Sequence, residues 1–276
     1  MRCMRFVLPV RIWLGISALF ALSEVVPSVL AADTPLTADQ VIAKAVVRSQ
    51  RVQSKSSQPV YTYTKVTVTE ELDSAGKVKE RKEKAYRVFF EGGSTRLKLV
   101  EVNGHPANEA DLKKQADNES NLRQIGGASK SARGDARENL LTPELVSRFS
   151  FKLLGQTQLN GRNAYQIAFQ PKSPEPPVRR MVDRLLNRIS GTIWIDADEF
   201  EIARADVRLG SEVDLLGGVV GSLKKLAYTM TRTRVADGVW LNSFSSGDFE
   251  GRKLLDWMRI KTRSQSGNFR LLRVTS

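Results

Sequence analysis

Over its last third the chain runs strand after strand with only short turns between them. The stretches 192–196, 201–209, 225–235, 239–248, 253–264 and 269–274 are dense in β-branched and aromatic residues, the composition of strands. Ala197-Asp198-Glu199 and Ala236-Asp237-Gly238 separate two of the pairs. A parallel pair needs a crossover of about a dozen residues or more, usually a helix. These connections are too short for one, so the strands must pair antiparallel.

The same pattern occurs earlier. Residues 60–69, 77–90 and 95–102 read as strands, with turns at Asp73-Ser74-Ala75-Gly76 and Asn103-Gly104. Residues 149–169 read as a hairpin around Asn160-Gly161, a strong two-residue turn signal. No segment repeats at a fixed short period.

Helical signals are few. Thr37 caps a helix, with Gln40 completing a capping box and Val41, Ile42, Ala45 and Val46 forming its apolar stripe. A polar helix is expected over 109–122, and Gly126-Gly127 with 129–134 read as a mobile loop. Thr142-Pro143 starts a short helix. The stretch 178–189 has the clearest helical period: Val178, Met181, Val182, Leu185, Leu186 and Ile189 on one face, Arg179, Arg180, Arg184 and Arg188 on the other. It is an ordinary core-facing helix, a lid on the sheet or an element of a membrane surface. The expected fold class is α+β, one antiparallel sheet with helices packed on it.

The first residues read as a secretory leader. Arg2, Arg5 and Arg11 form a basic start, 12–22 is an apolar run, and Val29-Leu30-Ala31 is a small-residue cleavage pattern. The run is shorter than the roughly 20 apolar residues a membrane span needs. The expectation is a leader at 1–31 and one domain at 32–276, exported to the periplasm. Cys3, the only cysteine, precedes the apolar run and so is not the acylated cysteine of a lipoprotein. The mature chain then has no disulfide, no thiol catalyst and no cysteine-bound metal.

The formal net charge is +13, and the leader accounts for little of it. A basic surface attracts anions, among them lipid headgroups. Export and the lack of any DNA- or RNA-binding pattern argue against nucleic acid. No phosphate-binding loop, dinucleotide fingerprint or serine elbow is present. His105, the only histidine, follows a turn and reads as solvated. Asp196, Asp198 and Glu199 lack the glycine and distal glutamate of a calcium loop, and Asp196 reads as a turn cap. Trp194 reads as a core residue. No metal or other cofactor is expected. The stretch 213–223, apolar and broken by Gly217, Gly218 and Gly221, reads as either a buried loop or a flap touching lipid.

Thr192-Ile193-Trp194-Ile195-Asp196, Glu201-Ile202-Ala203-Arg204-Ala205-Asp206, Gly238-Val239-Trp240-Leu241 and Phe249-Glu250-Gly251-Arg252 together resemble the outer-membrane lipoprotein-sorting (Lol-like) superfamily. The resemblance covers roughly 61–269 as an order of elements. It implies a strongly curved antiparallel sheet, an incomplete β-barrel, with helices covering a concave apolar face that holds acyl chains. It also implies an arginine on an early strand, where Arg87 and Arg96 lie. Strand register then puts Tyr63, Phe89, Leu97, Ile167, Ile195, Val207, Tyr228 and Trp240 on the cavity wall, with Leu185 and Leu186 on the lid.

The expected function is a monomeric, non-enzymatic carrier for lipid or lipoprotein acyl chains, making transient contact with membrane surface or envelope proteins. The alternative is an envelope sensor or scaffold of the same fold that binds a protein partner. An exported hydrolase lacks a motif.

Overall fold

The computed structural model describes residues 35–54, 60–91, 94–125, 141–214, 221–253 and 256–272. The leader, the loop at 126–134 and the glycine-rich part of the 213–223 stretch lie outside the described residues. Leu36–Ser276 forms one compact unit.

Among the described residues twelve strands make one antiparallel sheet: β1 (Val60–Leu72), β2 (Val78–Glu91), β3 (Ser94–Val102), β4 (His105–Pro106), β5 (Phe149–Leu159), β6 (Arg162–Pro171), β7 (Ile189–Asp196), β8 (Ile202–Leu209), β9 (Val213–Asp214), β10 (Gly221–Ala236), β11 (Val239–Lys253) and β12 (Asp256–Leu272). Their spatial order is β4-β3-β2-β1-β12-β11-β10-β8-β7-β6-β5, with β9 paired to β10 off this path. Most neighbours are sequence neighbours. The exceptions are the last strand, β12, which lies between β1 and β11, and the β8–β10 pair. β4 and β5 are the two edges, so the sheet stays open rather than closing into a barrel. Register shifts within β1, β2, β5, β7 and β10 are bulges of the kind that bend and twist a sheet.

The turns follow their sequence. Asn103-Gly104 and Asn160-Gly161 both have positive φ at both residues (50° and 79°, 53° and 77°), which two-residue hairpins require and Asn-Gly supplies at low cost. Asp73 Oδ1 accepts the amides of Ala75 and Lys77, closing the first hairpin. One expectation changes. Residues 253–264 and 269–274 are not two strands: β12 runs unbroken through Gly267 and Asn268. Asn268 has φ 57°, and the pairing with β1 shifts there, so these residues make a bulge rather than a turn.

Among the described residues there are four helices: α1 (Ala38–Ser54), α2 (Glu109–Ile125), α3 (Pro143–Ser147) and α4 (Met181–Leu186). The α1 capping box forms as read, with the Thr37 amide donating to Gln40 Oε1 at 2.8 Å and the Gln40 amide to Thr37 Oγ1 at 3.3 Å. Thr142 caps α3, accepting the Leu145 amide. Val41, Ile42 and Ala45 of α1 are buried against Ile167, Ile193, Ile195, Ile202 and Met230 of the sheet. Burying each such Val or Ile stabilises by roughly 1.5–3 kcal/mol, so α1 is held mainly by this stripe. A smaller cluster of Tyr63, Val88 and Leu241 lies elsewhere on the sheet, with Leu97 and Phe269 against it.

The register defines one row across almost the whole sheet. Lys84 opposes Thr67, Thr67 opposes Ser264, Ser264 opposes Ser245, and Ser245 opposes Met230. From there the row continues through Ala205, Ile193, Ile167 and Leu153. Directly opposed residues share a face. This row is therefore polar where it crosses β1, β2 and β12 and apolar where it crosses β5–β8, while Tyr63, Tyr86 and Val88 are buried on the same face of β1 and β2.

Candidate functional site

The apolar end of that row borders a cavity of about 200 Å³ between the sheet and the helices. Phe149 and Phe151 of β5, Phe169 of β6, Ile189 and Ile193 of β7, Ile202, Ala205 and Val207 of β8, and Tyr228 and Met230 of β10 form its floor and walls. Leu141, Leu145 and Val146 from α3 and the residues before it, with Leu186 of α4, form its roof. Tyr228 carries the only polar side chain in the lining. The rings of Phe149 and Phe169 meet edge to face at 5.3 Å between centroids, which fixes one wall. Apolar cavities of even about 150 Å³ stay dry and take up small hydrocarbons.

Two polar clusters pin the cover. Arg48 of α1 donates from Nη2 to the Gly238 carbonyl at 2.7 Å, and its Nε lies 3.3 Å from Glu201 Oε1. Arg232 holds the other Glu201 oxygen at 2.7 Å and the Trp240 carbonyl at 2.8 Å. The helix end is thus tied to the β10–β11 hairpin. Beside it Glu199 accepts Trp240 Nε1 at 2.7 Å, Arg234 Nε at 2.6 Å and the Gly238 amide. Burial raises the Glu199 pKa, but these donors outweigh it and hold the carboxyl below its ordinary value.

The second cluster fastens α4. Arg148, just after α3, donates to Asn187 Oδ1 at 2.6 Å and the Pro177 carbonyl at 3.1 Å, and lies 3.7 Å from Asp183 Oδ1. Asp183 is 2% exposed. Its Oδ2 accepts the Arg179 and Arg180 amides at 3.0 and 2.9 Å. Burial pushes its pKa up, and these amides with the Arg180 and Arg148 charges more than reverse it, leaving a buried ionised carboxylate. Asn187 is also buried, donating to Glu175 and the Pro176 carbonyl.

This corrects the reading of 178–189 as one helix with its apolar stripe inward. Only Met181–Leu186 is helical, and Ile189 already begins β7. The element turns Asp183 inward, because its acceptors satisfy two amides and an arginine there. Val178, Met181 and Val182 face outward, 46%, 42% and 46% exposed. Leu185 is half-buried, and only Leu186 and Ile189 reach the cavity.

The other residues read from the sequence scatter. Val207 and Tyr228 line the cavity. Ile167 and Ile195 are fully buried in the packing under α1. Tyr63 and Leu97 belong to the smaller cluster, where Tyr63 meets Phe269 at 5.2 Å. Phe89, half-buried, follows the fully buried Val88 and so faces the opposite side of β2. Trp240 is buried with its indole held by Glu199. Trp194 is half-buried outside the core clusters, with the Arg204 guanidinium 5.0 Å over its ring. Arg87 and Arg96 are both exposed.

Asp196 caps the turn as read, accepting the Asp198 and Glu199 amides, and also binds Arg162 through two bonds of 2.6 and 2.9 Å. That bond to Asp196 is the main cause of the raised Arg162 pKa. Among the described residues no group of His, Cys, Asp and Glu is placed to hold a metal ion. No described helix is long and apolar enough to cross a membrane. The phenylalanines at 149, 151 and 169 and the Arg148–Asp183 pair escaped the sequence reading. Alternation along 149–153 was the available signal for the wall, and nothing local marks the pair.

No protein-family profile and no curated protein matches the chain. Solved structures do. A DUF1329 family protein from Desulfovibrio piger is 13% identical, with a TM-score of 0.35, covering 88% of this chain and 96% of that one. A LolA superfamily protein from Nitrosomonas europaea is 10% identical, with a TM-score of 0.34, over 87% and 96%. A domain ascribed to outer membrane lipoprotein sorting, from Vibrio parahaemolyticus, is 11% identical, with a TM-score of 0.39, over 87% and 95%. The lipoprotein-sorting family named from the sequence motifs thus recurs among the structures the chain is similar to. At such identities and scores none of them assigns an activity.

Proposed function

We propose that the protein binds acyl chains of a lipid or lipoprotein in the cavity under α3 and α4, as a monomer, in the periplasm to which its leader directs it. The supporting observation is the cavity lining: 14 residues from seven elements and the α3 approach, with Tyr228 the only polar side chain. Such a wall rewards methylenes at about 0.8 kcal/mol each and offers no nucleophile or acid–base pair. The role is therefore binding and transport rather than chemistry. The volume of about 200 Å³ is below the roughly 300–1,000 Å³ of ordinary ligand sites, so a full acyl chain requires α3 and α4 to lift.

Native mass spectrometry of the protein from its envelope fraction, followed by lipid extraction, tests this. Acylated adducts are expected on the wild type, and their loss from Ala205→Leu, which fills the cavity and removes no interaction. A wild type with neither adduct nor uptake of added lipopeptide sinks the carrier reading in favour of the partner-binding scaffold. Equal loading of the variant moves the site elsewhere.

A further inference from the structure

The 178–184 segment carries three neighbouring exposed apolar side chains, Val178, Met181 and Val182, on the outside of the cavity's cover. Arg179, Arg180 and Arg184 are exposed among them, and the Arg180 side chain is 70% exposed. Two of the carboxylates nearby are already engaged, while Glu212 and Asp214 are exposed at β9, which contacts α4. Asp183 is turned inward to Arg148 and Arg180, and Glu175 pairs with Arg188 at 2.8 Å. Among the described residues Arg179 and Arg184 have no carboxylate partner. The surface is therefore apolar at its centre and net positive around it, on a chain of formal charge +13. A solvated segment gains nothing from exposing Val178 just before α4 and Met181 and Val182 in its first turn. With Asp183 turned inward, Met181 and Val182 of the same helix face out, and Asp183 is fastened there by four polar contacts rather than left loose.

We propose that this segment docks the protein reversibly on an anionic phospholipid surface. The three apolar side chains enter the headgroup boundary, and Arg179, Arg180 and Arg184 meet the phosphates. Charge complementarity selects this occupant: a protein partner or second copy would have to bring its own acidic patch, whereas an anionic bilayer presents negative charge everywhere. Three side chains without a lipid anchor give weak, reversible binding, as a shuttling protein requires. The docking face lies next to Leu186, whose side chain lines the cavity. The docking itself does not depend on what the cavity holds.

Flotation with vesicles of phosphatidylcholine, alone or mixed with phosphatidylglycerol, tests the proposal on the full mature chain. The wild type is expected to float with the mixed vesicles, less so at high salt, and hardly with phosphatidylcholine alone. Arg184→Gln should lower partitioning about fivefold. Met181→Asp with Val182→Asp should abolish it while leaving the circular dichroism melt unchanged, since both residues are exposed. Ala205→Leu should float like the wild type, which separates docking from cargo binding. The proposal is overturned if the wild type stays below the mixed vesicles or if the double aspartate variant floats normally. Light scattering that shows a dimer abolished by Met181→Asp, without flotation, would overturn it by assigning the patch to a second copy.

Discussion

The two ends of the row that crosses the sheet share a face and a backbone geometry, yet their chemistry is opposite. At the β5–β8 end Leu153, Ile167, Ile193 and Ala205 stand side by side under α1 and α3. At the β1–β2–β12 end Ser264, Thr67 and Lys84 do, and the groove there also contains Thr69, Glu71, Glu80, Lys82 and Lys114, with Tyr86 and Ile260 among them. The helices match. α1 brings Val41, Ile42 and Ala45 to the sheet, whereas α2 brings Gln115, which accepts Lys84 Nζ at 2.9 Å. An open sheet thus has one half that requires a cover and one that tolerates water. The covered half is the better host for an apolar ligand, because lifting its helices exposes the larger of the two apolar clusters, a surface that water solvates poorly.

The sharpest way to break this comparison is to remove the main interaction of one residue in each half. Ile195→Ala, at a side chain with no exposure, should cost about 4 kcal/mol through lost burial and the cavity left behind. Thr67→Val removes a 2.9 Å bond to Ser264 in the half-solvated region and should cost about 1 kcal/mol or less. Urea unfolding of both variants checks this. Equal costs would mean the polar half is as tightly packed as the apolar one.

The strands, most turns and the caps of α1 and α3 were legible in the sequence because each rests on local chemistry: β-branched runs, Asn-Gly turns, Thr caps. The contrast between the halves was not. It depends on β12 inserting between β1 and β11, a pairing across roughly 200 residues that no local pattern encodes. Residues read as one cavity wall, such as Tyr63 and Ile167, consequently belong to separate clusters. The inward turn of Asp183 was hidden for the same reason, since its partner Arg148 is on another element. Periodicity alone favoured the apolar side of 178–189 as the buried one.

That partner supplies the next prediction. Arg148→Ala leaves Asp183 buried with one cation fewer and Asn187 Oδ1 without its donor, at a cost of about 3 kcal/mol. The loss should be local. Hydrogen exchange should quicken in 178–188 and not in α2, so the cover of the apolar half loosens while the polar half is unaffected. Uniform acceleration across the sheet would show that Arg148 supports the whole fold rather than the cover.

The smallest effect expected is in the acid dependence of stability, and it separates the halves by charge rather than packing. Glu199, Asp196 and Asp183 all titrate below the ordinary carboxylate range because arginines and backbone or indole N–H groups favour their charged forms. A carboxyl depressed in the folded state binds protons more readily when unfolded. Its contribution is complete above the unfolded pKa, about 4, and is lost as pH falls through the folded value. All three lie on the covered half or the turns that pin it. Urea stability should be flat above about pH 5 and fall below about pH 4. Glu199→Gln should reduce that fall, because it removes one titrating group while keeping an acceptor for the Trp240 indole. Its cost at neutral pH should be about 1–2 kcal/mol, from weaker bonds to Arg234 and Trp240. An unchanged acid slope in the variant would place the pH sensitivity on other carboxylates.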